Sequence, residues 1–202
     1  MAAPIAFYFD FISPYGYFAS LRIEELAARH GRDVDWRPML LGVAVLKVMG
    51  LKPLLDTPLK GDYIRHDVRR QARRLGVRLG RDLNASVGNP LPPARAFYWV
   101  KQHHPQLAVP FAQALFHAFW AEGRDLSTPE AVAGIRLPAG LDAAAVAAGA
   151  ASDEAATLLR TAVAASIKAG IFGSPTVVVD DEPFWGADRL RDVDEWLACG
   201  GW

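Results

Sequence analysis

The pair Ser13-Pro14 stands where an apolar run gives way to a helical pattern. Serine is a preferred helix N-cap and proline a preferred first helical residue, so capping alone explains the pair. The alternative is that free N–H groups at the start of the helix stabilise a thiolate beside the serine hydroxyl. A hydroxyl cannot take part in disulfide exchange, so any such thiol has to come from another molecule.

A second serine-proline pair, Ser174-Pro175, comes directly before a run of β-favouring residues. Because only about 5–6% of X-Pro bonds in folded proteins are cis, a simple strand entry is the plainest explanation. A cis peptide bond between Ser174 and Pro175 is the alternative.

Two charged positions have both an ordinary and a functional interpretation. Asp188 follows Trp185-Gly-Ala and either caps the last helix or receives an ammonium group. Lys60 either is a solvated lysine or binds a carboxylate near a cleft. We expect Trp185 in the core more often than at a ligand.

Composition excludes several function classes. The 202 residues include 22 basic and 22 acidic side chains, so a broad electrostatic surface for nucleic acid or anionic membrane is not expected. The single cysteine, Cys199, permits no internal disulfide, no CxxC pair and no cysteine-built zinc site, and the histidines lack metal-ligand spacing. The start of the chain has no signal-peptide pattern and no apolar run approaches about 20 residues. We therefore expect a soluble, cytoplasmic protein with a small-molecule partner and no metal.

Hydrophobic periodicity predicts a β-α-β start, a long helical block, and an α-β-β-α end. This order indicates an α/β, thioredoxin-like fold with a large all-helical insertion. The thioredoxin-like domain is predicted over residues 1–40 and 153–202, and the inserted helical domain over 41–152. Strands are predicted over residues 5–10, 33–39, 176–180 and 182–185. Helices are predicted over residues 15–29, 40–49, 61–75, 93–103, 109–122, 128–133, 141–148, 153–169 and 188–198.

Four motifs occur together around the helical block: Asp10-Phe-x-Ser13-Pro14, Lys60 before Tyr63, Gly173-Ser-Pro-Thr176, and Trp185-Gly-x-Asp-Arg189. In this order they resemble the 2-hydroxychromene-2-carboxylate isomerases and the related kappa-class glutathione transferases, and the similarity spans nearly the whole chain. The resemblance implies a DsbA-like fold, a homodimer, and glutathione that adds reversibly through sulfur to an aromatic-pathway intermediate.

The resemblance also implies roles for individual residues. Ser13 would hydrogen-bond the glutathione sulfur, and Lys60 would bind the glycyl carboxylate. Lys47 and Asn89 match, less securely, polar positions facing the organic substrate, although ordinary surface polarity explains both. The remaining ligands would be Ser174 and Pro175 for the glutathione backbone, and Trp185, Gly186, Ala187 and Asp188 for the γ-glutamyl end.

Two positions depart from the family pattern. Leu51 stands in a loop where asparagine is common, and Ala187 stands where a small polar residue often precedes the aspartate. Both departures bear on glutathione affinity and on the identity of the substrate.

Three functions follow as hypotheses. The first is a glutathione-dependent cis-trans isomerase that interconverts 2-hydroxychromene-2-carboxylate and trans-o-hydroxybenzylidenepyruvate or a similar aromatic-degradation intermediate. The second is a kappa-like glutathione transferase or peroxidase. The third is a noncatalytic DsbA-like binding module. A disulfide oxidoreductase is the least compatible, because no cysteine lies near the first helix.

Overall fold

A computed structural model describes residues 3–202, in which the strands form one mixed sheet. The order is β2-β1-β3-β4, with β1 parallel to β2, and with β3 antiparallel to both β1 and β4. A two-residue turn at Asp180-Asp181, with φ values of 48° and 71°, joins β3 to β4. The strands are β1 (Ile5–Phe9), β2 (Val34–Pro38), β3 (Thr176–Val179) and β4 (Glu182–Trp185).

Nine α-helices are found within residues 3–202, together with two π-helical segments at Gly42–Val48 and His117–Ala121. The chain from β2 to β3 contains no strand in this described part, as the sequence predicts. None of these helices combines the length and apolar character needed to cross a membrane. The helices are α1 (Pro14–Ser20), α2 (Ile23–Arg29), α3 (Lys60–Leu75), α4 (Leu91–His103), α5 (Ala108–Phe116), α6 (Pro129–Ala133), α7 (Ala143–Ala151), α8 (Asp153–Lys168) and α9 (Leu190–Cys199).

The prediction of one helix over residues 15–29 is wrong, because the chain turns between α1 and α2 at Leu21 and Arg22. The Ser20 hydroxyl donates to the Tyr17 carbonyl at 2.7 Å, a side-chain bond that competes with regular helix. The turn also places Ile23 in the core while Leu21 stays exposed. The helix that begins beside Ser13 therefore has only seven residues.

Three further segments differ from the sequence prediction, either in the type of helix or in the residue at which the helix begins. The apolar stretch predicted as a helix over residues 40–49 is π-helical from Gly42 to Val48. The last helix begins at Leu190, because a 3₁₀ turn over Ala187–Arg189 precedes it. The helix predicted over residues 109–122 is α-helical only to Phe116 and continues as the π-helical segment His117–Ala121. The remaining elements match their predicted type, with ends displaced by a few residues.

The sheet and the helical block share one hydrophobic core. The Phe9 ring of β1 lies 6.0 Å from the ring of Phe97 in α4 and 5.3 Å from that of Phe116 in α5. The indole N–H of Trp120 donates to the Phe11 carbonyl at 2.9 Å. The loop from β1 to α1 is thus fixed by the helical block, and this loop presents Ser13.

Candidate active site

Ser13 is the N-cap of α1, as its sequence context predicts. Its Oγ accepts a hydrogen bond from the Gly16 N–H at 3.1 Å, and its side chain is buried. The same hydroxyl donates to the Ser174 carbonyl at 2.9 Å. Both capacities of the hydroxyl, as donor and as acceptor, are therefore in use, and the donated bond points to the loop before β3.

Few N–H groups in the first turn of α1 are free to stabilise a bound anion. Pro14 has no N–H, the Gly16 N–H is bonded to Ser13 Oγ, and the Tyr17 N–H is bonded to the Ser13 carbonyl at 3.0 Å. Within residues 3–202, the Tyr15 N–H has no hydrogen-bond partner. The donors available to a bound anion here are the Tyr15 N–H and, after a change of partner, the Ser13 hydroxyl.

The peptide bond between Ser174 and Pro175 is cis, which is the alternative the sequence raised for this pair. Ser174 Oγ accepts a hydrogen bond from the Asp10 N–H at 2.8 Å. On the other side, the Pro175 carbonyl accepts from the Gly186 N–H at 3.0 Å. The loop is thus held to the end of β1 and to the end of β4, directly beside α1.

Gly16 allows this close contact between α1 and the loop. A Cβ atom at this position would stand 3.0 Å from Ser174 Oγ and 3.2 Å from the Asp10 carbonyl oxygen. A larger residue would push the helix away from the loop that Ser13 contacts.

Asp10 is a buried carboxylate that the sequence analysis quoted in a motif without assigning it a role. Its Oδ1 accepts from the Ile12 N–H at 3.2 Å and its Oδ2 from the Leu41 N–H at 2.8 Å. Burial raises the pKa of Asp10 from 3.8 to about 6, against the opposing effect of these backbone bonds. The only available sequence clue was an acid that ends an otherwise apolar strand.

Tyr15 and Asp67 form a second contact that the sequence analysis missed. The Tyr15 hydroxyl donates to Asp67 Oδ2 at 2.7 Å, and the Arg70 guanidinium pairs with the other oxygen of this carboxylate. Burial, and next the bond to Asp67, raise the pKa of Tyr15 above its usual range. The contact joins α3 to α1 at the residue that directly follows Ser13-Pro14. The sequence pattern of neither helix predicts it.

Trp185 is half exposed, so the expectation that it lies in the core is wrong. Its ring centroid is 4.9 Å from that of Phe172. A Cβ atom on Gly173 would stand 2.2 Å from the Trp185 Nε1 atom, which shows how closely the indole lies on that glycine. Apolar type favours burial, but here the ring covers the cis-proline loop and leaves one side open.

Asp188 does not cap the last helix, so this interpretation of its sequence position is wrong. It lies within the 3₁₀ turn, and the N-cap of α9 is Arg189, which has no side-chain capping bond. The carboxylate of Asp188 lies instead over Gly186, where a Cβ would stand 2.4 Å from Oδ1 and where φ is 122°. The turn packs against α1, so an exposed carboxylate stands close to the Ser13 region.

The other predicted residues are more distant from these contacts. The side chains of Lys60, at the first position of α3, and of Lys47, in the π-helical segment, are exposed. Asn89 Oδ1 accepts from the Leu91 N–H at 3.1 Å, which explains it as a residue that starts α4. Leu51 is exposed as well. The structure thus brings together Ser13, Ser174, Pro175 and the turn that holds Asp188. Within residues 3–202, no hydrogen bond links Lys47, Lys60 or Asn89 to this group.

Residues 4–198 match the family model for a DsbA-like thioredoxin domain. A 2-hydroxychromene-2-carboxylate isomerase from Sphingobium xenophagum is 31% identical over 98% of this chain and 99% of its own. The isomerase of Pseudomonas putida is 30% identical over 92% of this chain and 90% of its own. The chain belongs to the 2-hydroxychromene-2-carboxylate isomerase family of DsbA-like thioredoxin proteins.

Comparison of coordinates agrees with this membership. A solved 2-hydroxychromene-2-carboxylate isomerase superposes with a TM-score of 0.78 at 29% identity, covering 97% of this chain and 94% of that one. In sequence, a kappa 2 glutathione S-transferase from Caenorhabditis elegans is 26% identical over 96% of this chain and 91% of its own. The fold is therefore the thioredoxin-like fold with a helical insertion that the sequence predicts, and the isomerase family is the one its motifs resemble.

Proposed function

We propose that this member of the isomerase family is a glutathione-dependent cis-trans isomerase. Its substrates would be 2-hydroxychromene-2-carboxylate and trans-o-hydroxybenzylidenepyruvate or a similar aromatic-degradation intermediate. The observation behind the proposal is the Ser13 hydroxyl, which joins the start of α1 to the carbonyl before a cis proline. The chain has no cysteine in this region, so a thiol used here is borrowed.

The side chains and backbone groups around Ser13 fit a tripeptide thiol. When glutathione is bound, it supplies a sulfur nucleophile that adds reversibly to the conjugated double bond of the substrate and so permits rotation about that bond. An extended backbone suits the cis-proline loop, where the Ser174 carbonyl faces α1. The Asp188 carboxylate is exposed and suits the γ-glutamyl ammonium group.

Ser13 would act by changing its hydrogen-bond partner. In the structure the hydroxyl donates its hydrogen bond to the Ser174 carbonyl. When the hydroxyl donates to the glutathione sulfur instead, this carbonyl becomes free to accept a hydrogen bond from the cysteinyl N–H of the peptide. The Gly16 N–H bond to Oγ keeps the hydroxyl in place throughout. The Tyr15 N–H is a second donor for a thiolate. In this proposal Ser13 forms no covalent bond to the substrate.

The substrate would lie beyond the sulfur. The exposed Lys47 ammonium offers a positive charge to the substrate carboxylate, and Lys60 offers one to the glycyl carboxylate of glutathione. The Asn89 amide nitrogen remains as a donor, since Oδ1 is bonded to Leu91.

The test is conversion of authentic trans-o-hydroxybenzylidenepyruvate, followed by its ultraviolet spectrum, with and without glutathione. The proposal predicts enzyme-dependent conversion only when glutathione is present. Equal conversion without glutathione, or none with it, would contradict the proposal.

A transferase or peroxidase reaction through the same borrowed thiol is the second candidate. The 26% identical kappa 2 glutathione S-transferase favours it. Conjugation of a generic electrophile or reduction of a hydroperoxide, without isomerisation of the authentic substrate, would select this function instead.

A further inference from the structure

An open apolar groove of about 740 Å³ is lined by a different set of residues from those around Ser13. It runs between α4, α8 and the π-helical segment Gly42–Val48, and its lining includes neither Ser13 and Ser174 nor Trp185 and Asp188. The apolar part of its wall includes Leu40, Val43, Leu91, Leu159 and Val163. Its volume falls within the range of small-molecule sites in proteins, about 300–1,000 Å³.

The charged residues of the groove all have the same sign. Arg95, Arg160 and Lys168 line it, and among residues 3–202 no aspartate or glutamate does. Within residues 3–202, none of the three cations takes part in an ion pair. This cluster stands out in a chain whose net charge is zero.

Arg95 shows the strongest sign of a missing partner. Its Nε is buried and has no hydrogen-bond partner in the described chain, whereas most buried polar atoms have one. Within residues 3–202, Arg160 donates only to the Thr157 hydroxyl, at 2.8 Å. Guanidinium groups bind carboxylates through charge-assisted hydrogen bonds. The terminal nitrogens of Arg95, which make no hydrogen bond within residues 3–202, are the donors that an anionic group in the groove would use.

The sequence of α8 builds this combination on one helical face. Ala156, Arg160, Val163 and Ile167 are three or four residues apart and all line the groove. The small side chain of Ala164 keeps the groove open at its exposed side. This face is mainly apolar and carries two cations, Arg160 and Lys168, among the side chains that line the groove.

We propose that this groove binds an amphipathic organic monoanion, with its apolar body along Leu40, Val43 and Val163 and its carboxylate on Arg95 and Arg160. The site is separate from the one proposed for glutathione. The inference does not depend on the isomerase reaction, because it follows from the lining and charges of the groove alone.

Decanoate is a suitable probe, measured by titration calorimetry at low salt and below its micelle concentration. We expect one decanoate per chain, and binding about tenfold weaker for decyltrimethylammonium, which has the same alkyl chain and the opposite charge. Arg95→Met keeps an apolar side chain but removes the charge, so it should weaken decanoate binding about tenfold. Arg73→Met, an exposed change on α3, is the matched control and should have no effect.

Ala164→Glu gives a second variant that does not disturb the core, because Ala164 is exposed. Its carboxylate should repel decanoate, and binding should fall while the melting temperature stays near that of the unmodified chain. The proposal is overturned if decanoate releases no heat of binding, if the cationic probe binds equally well, or if Arg95→Met has no effect. It is also overturned if sedimentation shows a dimer that Ala164→Glu dissociates, because a second copy would then cover the groove.

Discussion

The hydroxyl of Ser13 donates a hydrogen bond of 2.9 Å to the carbonyl of Ser174, which lies 161 residues away in the sequence. It links the start of α1 to the cis-proline loop, and both partners are buried. The same hydroxyl caps α1, so one side chain has a structural role and a proposed catalytic role. These roles can be separated by measuring stability and turnover in the same variants.

Replacing Ser13 by alanine should lower both stability and turnover. The Gly16 N–H and the Ser174 carbonyl lose their partner, and loss of a cap typically costs about 0.5–2 kcal/mol of unfolding free energy. Turnover should fall much further than this change in stability explains, because the proposed donor to the glutathione sulfur is gone. Denaturant unfolding and initial rates at saturating glutathione measure the two effects.

Thr128→Ala is the matched control for that variant. Thr128 caps α6 through a 3.2 Å bond to the Ala131 N–H, and it is exposed and plays no part in the proposed site. It should cost a similar amount of stability without lowering turnover. If Ser13→Ala behaves like Thr128→Ala, Ser13 is a cap and nothing more.

Replacing Ser174 by alanine should be mainly a stability change. The variant leaves the buried Asp10 N–H without its 2.8 Å partner, at a cost of about 1–3 kcal/mol of unfolding free energy. The backbone carbonyl that glutathione would use is still present, so turnover should fall less than in Ser13→Ala. A larger loss of turnover in Ser174→Ala than in Ser13→Ala would contradict this division of roles.

Asp10 should make the folding free energy depend on pH. Burial raises its folded pKa from 3.8 to about 6, so between these values the folded state binds more protons than the unfolded state does. The contribution of Asp10 to stability is therefore greatest at low pH and falls as pH rises through 6, by roughly 3 kcal/mol in total. The stability difference between the unmodified chain and Asp10→Asn should shrink over pH 4–6. A constant difference over that window would show that Asp10 titrates normally.

Asp188→Asn should weaken the binding of glutathione rather than the chemical step. The proposed partner is an ammonium group, and a hydrogen bond to a charged group is typically worth about 1.5–3 kcal/mol. The KM for glutathione should rise about tenfold or more, with kcat nearly unchanged. Asp192→Asn is the control, because Asp192 pairs with Arg189 at 2.8 Å close to the same turn. An equal rise of the KM for glutathione in both variants would contradict a specific role of Asp188 in binding glutathione.

Tyr15 and Asp67 should couple energetically across α1 and α3. Tyr15→Phe removes the donor of their 2.7 Å bond, and Asp67→Asn removes the charge that strengthens it. In a double-mutant cycle we expect a coupling free energy of about 0.5–3 kcal/mol from denaturant unfolding. Additive effects of the two changes would show that the contact contributes nothing to stability.

The local structure around Ser13 was predictable from the sequence, and the long-range contacts of the site were not. Ser13-Pro14 predicted the cap of α1, and the β-favouring runs predicted strands over residues 176–180 and 182–185, where β3 and β4 lie. Such features depend on a few neighbouring residues, whose conformational preferences act locally. The bonds from Ser13 to Ser174 and from Tyr15 to Asp67 depend on packing of distant segments, which leaves no periodic pattern.

The wrong predictions concern segments where particular hydrogen bonds or packing contacts outweighed the general preference of the residue type. The break after Ser20 follows from a side-chain bond and from the need to bury Ile23. Trp185 stays half exposed because it lies on Gly173 and Phe172 at the cis-proline loop. Asp10, to which the sequence analysis assigned no role, accepts a hydrogen bond from the Leu41 N–H at the start of the helical block.

The ionisation of the glutathione thiol in its complex with this protein tests the central claim most directly. Thiolate absorbs in the ultraviolet where the thiol does not, so a pH titration of the complex gives the thiol pKa. We predict a thiol pKa well below about 8.5, the usual value for cysteine, and a return toward that value in Ser13→Ala. The same thiol pKa in both proteins would contradict the account, because Ser13 would then have no part in activating the borrowed thiol.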